Sequence, residues 1–370
     1  MRYILFSFLA FSLFSFVSGD EHKSLELGAA APNFNLKGVD GKMYSLSSFA
    51  NAKVLVIVFT CNHCPTAQAY EERIKKLTAD YADKSVQVVA ISPNDPVSIR
   101  LDELGYTDLS DNYADMVQRA KDKQYNFPYL FDGGTQEVAN KYGPVATPHV
   151  FIFDKTRILR YSGRIDDVEN PAGTPKNFDT RNAIEDLLAN KPVAVPKTKT
   201  FGCSIKWVEK HALTNSEKEE WTKEPVSLDT INEQGLKDLL KNETGKLRLI
   251  NVWATWCGPC VNELPDFQTM NRMYRKRDFE LITISSDKPN KKDKALEILK
   301  GIQASSKNYI FNGDDSYKLI ELIDPDWQGA LPYTLLIEPK GKIIYKKQGR
   351  IDASEMKRRI VDNPLIGRFF

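Results

Sequence analysis

Two stretches of the chain are apolar at nearly every position. One is Val54-Leu55-Val56-Ile57-Val58-Phe59; the other is Leu247-Arg248-Leu249-Ile250-Asn251-Val252-Trp253-Ala254, interrupted by Arg248 and Asn251. Continuous runs of this kind predict strands buried on both faces of a sheet with parallel neighbours. Each run passes into helical spacing, with Tyr70, Ile74 and Leu77 after the first and a helix over 259–274 after the second. In the first half, further strands are predicted over 86–91 and 129–131, helices over 113–123, 136–142 and 181–189, and a hairpin over 150–153 and 158–163. Residues 20–50 carry turn chemistry that predicts a leading hairpin, and 93–126 reads as a polar excursion. In the second half, strands are predicted over 226–231 and 279–285, helices over 233–241, 292–302, 317–322 and 353–361, and a hairpin over 333–337 and 342–345.

The two halves follow one plan. Ala146-Thr147-Pro148 precedes one hairpin and Ala330-Leu331-Pro332 the other, and the hairpins run into Gly163-Arg164-Ile165-Asp166 and Gly349-Arg350-Ile351-Asp352. This is a duplicated domain rather than a short solenoid repeat. The class is α/β, with domains at 20–190 and 225–370. Residues 191–224 read as a linker, proline-punctuated at its start and highly charged over 215–224. Phe201-Gly202-Cys203-Ser204-Ile205-Lys206-Trp207 inside it is too apolar to be free, and is expected to pack back onto the first domain.

At 370 residues the chain is long enough for two ordinary cores. Its net charge of +2, with acids and bases interspersed, gives no basis for a nucleic-acid partner or an anionic membrane surface. Residues 1–19 differ in kind: Met1-Arg2, an apolar run over 4–17 and Val17-Ser18-Gly19 before Asp20. They predict a secretory signal peptide cut after Gly19, hence a periplasmic or secreted protein, with an uncleaved anchor as the alternative and the sole membrane contact. No cysteine follows the run, so no lipid anchor is indicated.

The five cysteines change the picture most. Four form two pairs at CxxC spacing, Cys61/Cys64 and Cys257/Cys260, each at a strand-to-helix turn, and Cys203 is left over. Two thiols so spaced can close a disulfide ring. At Cys257 the helix N-terminus favours negative charge on the first sulfur, because its unpaired N–H groups and its dipole point there. A closed zinc site wants four ligands, and no second CxxC or histidine pair lies near Cys257. Cysteine usage is therefore catalytic rather than structural. In the first pair, His63 can donate to the neighbouring thiolate or place positive charge beside it, which makes the disulfide more oxidising; the alternative is a surface histidine without redox influence.

Asn251-Val252-Trp253-Ala254-Thr255-Trp256-Cys257-Gly258-Pro259-Cys260 resembles the active-site strand and turn of the thioredoxin superfamily, and Val261-Asn262-Glu263-Leu264-Pro265 resembles its exported TlpA/ResA-like branch. The first half, over about 26–207, is similar to the redoxin (AhpC/TSA-type) branch. The resemblance implies two thioredoxin-like domains in tandem, each a central mixed sheet flanked by helices. It implies disulfide exchange with protein thiols, an upstream membrane or periplasmic electron donor, a link to cytochrome c maturation, and no cofactor beyond the redox-active disulfides. Cys257 is then the exposed nucleophile, with Trp256 beside it and Cys260 resolving. Pro332 and Pro148 match the cis-proline that faces the dithiol and presents backbone groups to an incoming peptide.

The chain departs from the common pattern in three places. Asn251 and Leu55 stand where ordinary thioredoxins carry a buried aspartate, and Glu263 is the residue nominated to serve Cys260 as proton acceptor, unless it is a solvated first-turn glutamate. Thr60 lies four residues before Cys64 without the proline of the peroxiredoxin pattern, so peroxidase chemistry in the first domain is an alternative with incomplete motif support. Cys61, His63, Cys64 and His149 could instead converge as soft ligands for copper or zinc, making the first domain a metal or apocytochrome binding module. Cys203 is either a small buried residue or a thiol that pairs transiently with Cys61 or Cys64. The leading expectation is a tandem oxidoreductase in which electrons pass from Cys257/Cys260 to Cys61/Cys64, or in which each domain serves its own partners.

Overall fold

A computed structural model describes residues 22–170, 172–313 and 316–368. The proposed signal peptide over 1–19 lies outside the described residues. In the first half the elements are β1 (Asn35–Gly38), β2 (Met43–Ser45), β3 (Val54–Phe59), α1 (Pro65–Asp80), β4 (Val86–Ser92), α2 (Tyr113–Asp122), β5 (Tyr129–Phe131), α3 (Glu137–Tyr142), β6 (His149–Phe153), β7 (Leu159–Gly163) and α4 (Asp179–Leu188). Helix α5 (His211–Lys223) follows. The second half holds β8 (Asp229–Ile231), α6 (Glu233–Lys241), β9 (Leu247–Trp253), α7 (Gly258–Tyr274), β10 (Phe279–Ser285), α8 (Lys292–Gly301), β11 (Lys307–Phe311), α9 (Ser316–Ile323), β12 (Tyr333–Glu338), β13 (Lys342–Gln348) and α10 (Ala353–Asp362).

The strands form two mixed sheets, ordered β2-β1-β5-β4-β3-β6-β7 and β13-β12-β9-β10-β11-β8. At the centre of each, β3 pairs parallel with β4 and antiparallel with β6, and β9 does the same with β10 and β12. The expected tandem of helix-flanked mixed sheets is what the chain adopts. The period of two along a strand explains the continuous apolar runs. Val54, Val56 and Val58 meet Tyr70, Ile74 and Leu77 of α1, whereas Leu55, Ile57 and Phe59 meet Val138 and Tyr142 of α3. In β9, Leu247 and Leu249 face Phe267 and Met270 of α7, and Ile250 and Val252 face Leu236 and Leu319. The polar interruptions have partners: buried Arg248 pairs with Glu280 at 2.5 Å, and Asn251 reaches Glu263.

Two elements escaped the sequence pattern. Strand β11 lies between two helices that were seen, and α5 occupies part of what reads as a linker. In α5 only Thr214 is buried, so no apolar stripe marks the helix. The segment 191–224 is not an open linker. Residues 196–198 pair with Ser162 of β7, and Phe201 packs against the first core. Along α5, His211 bonds Asp95 at 2.5 Å and Trp221 stacks under Arg272 of α7. Among the described residues, no helix is long and apolar enough to cross a membrane.

The polar excursion joins the domains. Ile99 and Leu104 enter the second core beside Met270, Met273 and Tyr274. Tyr274 donates its hydroxyl to Thr107 O at 3.0 Å. Asp108 faces Arg358 of α10 at 3.1 Å and Arg368 at 2.9 Å. Burial works against its ionisation, but Arg368 and Arg358 outweigh that and hold its carboxyl below the usual carboxylate range. Gly105 permits the approach, because a Cβ there would lie 2.9 Å from Met273 O. Truncating Leu104 to alanine is expected to cost about 2–5 kcal/mol. Calorimetry of the full chain should then show the second domain melting at lower temperature, apart from the first.

Candidate functional site

In the second domain the strand-to-helix turn is set by its own residues. Ala254, Thr255 and Trp256 leave β9, and Asp287 pins the turn, accepting from Thr255 N–H at 2.8 Å and from the Thr255 hydroxyl at 2.9 Å. Gly258 and Pro259 then occupy the first turn of α7, where a proline loses no hydrogen bond. That leaves Cys257 as the N-cap, its sulfur accepting from Cys260 N–H at 3.3 Å. Cys257 and Cys260 form a disulfide. Cys257 was expected to be exposed. Its residue is only 6% accessible and Cys260 is fully buried, while Trp256 beside them is 71% exposed. Cys257 is the more accessible of the two sulfurs, but the approach to it is narrow.

Leu331-Pro332 is a cis peptide, and Leu331 packs against the cluster that holds Cys257 and Cys260. A cleft of about 710 Å³ opens beside Trp256, lined by Leu331, Trp327 and Tyr317, with Lys288, Lys291 and Lys294 around it. One helical turn after Cys260, Glu263 is 1% exposed, so it is no solvated first-turn residue. Asn251 Nδ2 donates to its Oε1 at 3.0 Å, and Ile351 N–H to its Oε2 at 3.2 Å. Burial nevertheless pushes the Glu263 carboxyl above its ordinary 4.5, against those two donors.

The first domain uses the same turn differently. Its helix α1 starts at Pro65, with Cys64 as N-cap. The helix thus begins three residues later than α7 does relative to its motif, and Cys64 rather than Cys61 takes the place that Cys257 holds. On the motif sits Asp111, a residue that carries no motif signal in the sequence. Its Oδ1 accepts the backbone N–H groups of Asn62 and His63 at 2.8 and 3.0 Å. Its Oδ2 lies 2.7 Å from His63 Nδ1 and 2.7 Å from Asn94 Nδ2. The available signal was an aspartate in a polar excursion, which composition does not separate from a solvated loop.

His63 is not a surface histidine; it is 2% exposed and paired with a fully buried carboxylate. Burial lowers its basicity, but Asp111 more than offsets this and raises its pKa above 6.5. Asp111 is correspondingly held below its usual range against its own burial, by His63 first. Burial likewise opposes ionisation of Cys64. Hydrogen bonds from the Cys203 and Cys61 thiols, the His63 cation and Ala67 N–H outweigh it and hold Cys64 well below the ordinary thiol range. Cys61 goes the other way, raised by burial, by its bond to Cys64 and by Asp111. Of the two thiols in this motif, Cys64 is the one held toward the thiolate, as positive charge from the adjacent His63 would make it.

Thr147-Pro148 is also cis. Thr147 Oγ1 lies 3.2 Å from Cys61 Sγ, and Cys64 Sγ lies 3.4 Å from Thr147 O. Cys61, Cys64, Asn62 and His63 are all buried, and the three free cysteines, Cys203 included, form one cluster. His149 does not join the proposed metal set of Cys61, Cys64 and His149. Its Nδ1 accepts from Val145 N–H at 3.2 Å and its Nε2 pairs with Ser162 Oγ at 3.0 Å, and burial holds its pKa down at about 3. Among the described residues, the potential ligands that converge are Cys61, His63 and Asp111. Because His63 and Asp111 are spent on each other, the group reads as an ion pair beside a thiol.

Residues 27–162 match the AhpC/TSA family, and residues 222–363 match the family described as Redoxin. The chain is similar to "Thiol-disulfide oxidoreductase ResA" of Bacillus thuringiensis subsp. konkukian (strain 97-27), with 29% identity over 142 residues, 37% of this chain and 75% of the relative. A solved hypothetical protein of Sinorhizobium meliloti 1021 is 32% identical, over 50% of this chain and 97% of its own, with a TM-score of 0.45. An uncharacterized conserved protein of Geobacillus kaustophilus is 36% identical, over 49% and 92%, with a TM-score of 0.44.

Two outcomes are expected. Asp111→Asn should lower the His63 pKa and raise that of Cys64, read by histidine NMR titration and by thiolate ultraviolet absorbance. For Glu263, a raised native pKa means the folded chain keeps a proton that the unfolded chain has lost. Stability therefore falls as pH rises from about 4.5 through the native value. Glu263→Gln should flatten that fall, giving a higher melting temperature than wild type at pH above the native value.

Proposed function

We propose that this chain, which belongs to the thioredoxin superfamily as an AhpC/TSA domain followed by a Redoxin domain, exchanges disulfides with protein partners through Cys257 and Cys260. It is a thiol-disulfide oxidoreductase; the finer reading concerns which sulfur acts and on what. The observation that carries it is the Cys257–Cys260 disulfide at the N-terminus of α7, with Leu331 of the cis Leu331–Pro332 peptide packed against it and a cleft beside the adjoining Trp256. In the reduced enzyme the Cys257 thiolate attacks one sulfur of a substrate disulfide, and the other substrate sulfur leaves. Cys260 then gives its proton to the Glu263 carboxylate and attacks Cys257 Sγ, releasing the substrate as a dithiol and restoring the disulfide. An aromatic, lysine-rimmed cleft favours an extended peptide segment carrying apolar and acidic side chains. The reaction needs no cofactor beyond the disulfides. A membrane or periplasmic dithiol donor would return the two electrons, in keeping with export by a 1–19 signal peptide and with work on apocytochrome thiols.

Separate partners for the two domains are favoured over an internal relay. The interdomain contact falls on Met270, Met273 and Tyr274, at the C-terminal end of α7. The rise of the helix puts Cys257 about 20–25 Å from that contact. The CNHC couple should be the more oxidising one, since His63 and the neighbouring thiols stabilise the Cys64 thiolate. The buried thiolate also supports a second reading, peroxide reduction at Cys64. There a hydroperoxide would oxidise Cys64 to a sulfenic acid and leave as an alcohol, and a neighbouring thiol would close the disulfide with loss of water.

Cys257→Ser should abolish insulin reduction by the full chain. Cys260→Ser should accumulate mixed disulfides between Cys257 and external proteins, seen on non-reducing gels; a Cys257–Cys61 or Cys257–Cys64 adduct in their place would restore the relay. Glu263→Gln should slow resolution of the mixed disulfide by about a hundredfold while the alkylation rate of Cys257 stays unchanged. Hydrogen peroxide consumption by the Cys257→Ser/Cys260→Ser chain decides the second reading.

A further inference from the structure

The first domain buries both cysteines of its motif, with Cys61 3% and Cys64 0% exposed, yet leaves Cys203 half-buried on the same cluster. The segment that carries Cys203 lies along the sheet edge like an added peptide. Ser162 N–H donates to Pro196 O at 3.0 Å, and Thr198 N–H donates to Ser162 O at 3.1 Å. Further on, Thr147 N–H donates to Cys203 O at 3.0 Å, so the segment pairs with the residue before cis Pro148. Gly202 allows this crossing: its φ is +137°, and a Cβ there would sit 2.1 Å from Thr147 O. Lys206 N–H then bonds Asn94 Oδ1 at 2.9 Å, and Asn94 in turn holds Asp111. Among the described residues, no corresponding segment bridges to Leu331 in the second domain.

We infer that Cys203 is the port of the first domain, the thiol through which the buried Cys61/Cys64 couple exchanges with an external dithiol or disulfide. This rests on the reading of that couple as redox-active. In the oxidised domain, Cys203 attacks Cys64 Sγ. The Cys61–Cys64 bond breaks, the Cys64–Cys203 bond forms, and the proton of Cys203 passes to the departing Cys61 thiolate, which its burial and Asp111 favour in the neutral form. An external dithiol then attacks the half-exposed Cys203 sulfur, and Cys64 departs as the stabilised thiolate, a good leaving group. The second thiol of the external molecule attacks its own bridged sulfur, leaving as a disulfide and returning Cys203 as a thiol. Two electrons move from the external dithiol to the domain, and the reverse sequence reduces an external disulfide. The segment over 196–207 is thus a built-in substrate strand whose cysteine hands on the exchange.

The test uses the full chain with Cys257→Ser/Cys260→Ser, which silences the second site, so the outcome does not depend on the fate of that reading. Dithiothreitol is the probe, and alkylation followed by mass spectrometry reads the thiols. Adding Cys203→Ser should slow reduction of the oxidised first domain by about tenfold or more, because reaching Cys61 or Cys64 then requires local opening. An unchanged rate would overturn the inference, and a faster one would mark the segment as a plug. A second variant covers misfolding of the first: with Cys61→Ser added instead, oxidation by trans-4,5-dihydroxy-1,2-dithiane or oxidised glutathione should yield a Cys64–Cys203 linked peptide. Failure to form that link in a folded chain would equally overturn it.

Discussion

A carboxylate taken wholly out of water must be surrounded by donors, and Asp111 is fully buried with four of them: two backbone N–H groups, His63 and Asn94. Much of the first site follows from how those donors are satisfied. The carboxylate satisfies the N–H groups of Asn62 and His63 just ahead of the helix, which starts at Pro65 with Cys64 as its N-cap. By charging His63, it lowers the pKa of that same sulfur. Through Asn94 it ties the site to the segment that carries Cys203. Its own position depends on the loop that ends at Thr107 and Asp108, which is docked on the second domain. The ion pair at one site is therefore anchored by the body of the other domain.

The two domains show how one fold supports two kinds of thiol site. Both sheets place a cysteine pair at the end of the central buried strand and a cis-proline on the neighbouring antiparallel strand. In the second domain, glycine and proline between the cysteines let the helix begin at once, a buried glutamate stands one turn below, and the face beside Trp256 is open. In the first domain the same face is covered by the chain itself. The difference lies in the residues between the cysteines and in what is laid over them, not in the sheet.

The plan of the molecule was legible in the sequence wherever burial enforces a period. The two-sided strands, the helices with an apolar stripe and the paired hairpins all announce themselves in this way, and so do the two motifs, because their spacing is local. Helix α5 and the 93–126 excursion did not. The first buries little, and the second buries Ile99 and Leu104 against a different domain, a contact no local pattern encodes. Glu263 was visible as a candidate one turn after Cys260, but its burial was not.

By itself, then, the sequence determined the class of chemistry and the number of sites, since strand period, helix start and cysteine spacing are properties of neighbours along the chain. Folding in three dimensions settled the rest: that His63 is paired with a buried carboxylate, that His149 is spent elsewhere and that Cys203 joins the other two thiols. Each of those turns on groups brought together across long stretches of chain, Asp111 to His63 and Cys203 to Thr147. Electrostatic energy and accessibility depend on distance and burial in space, which residue order does not state.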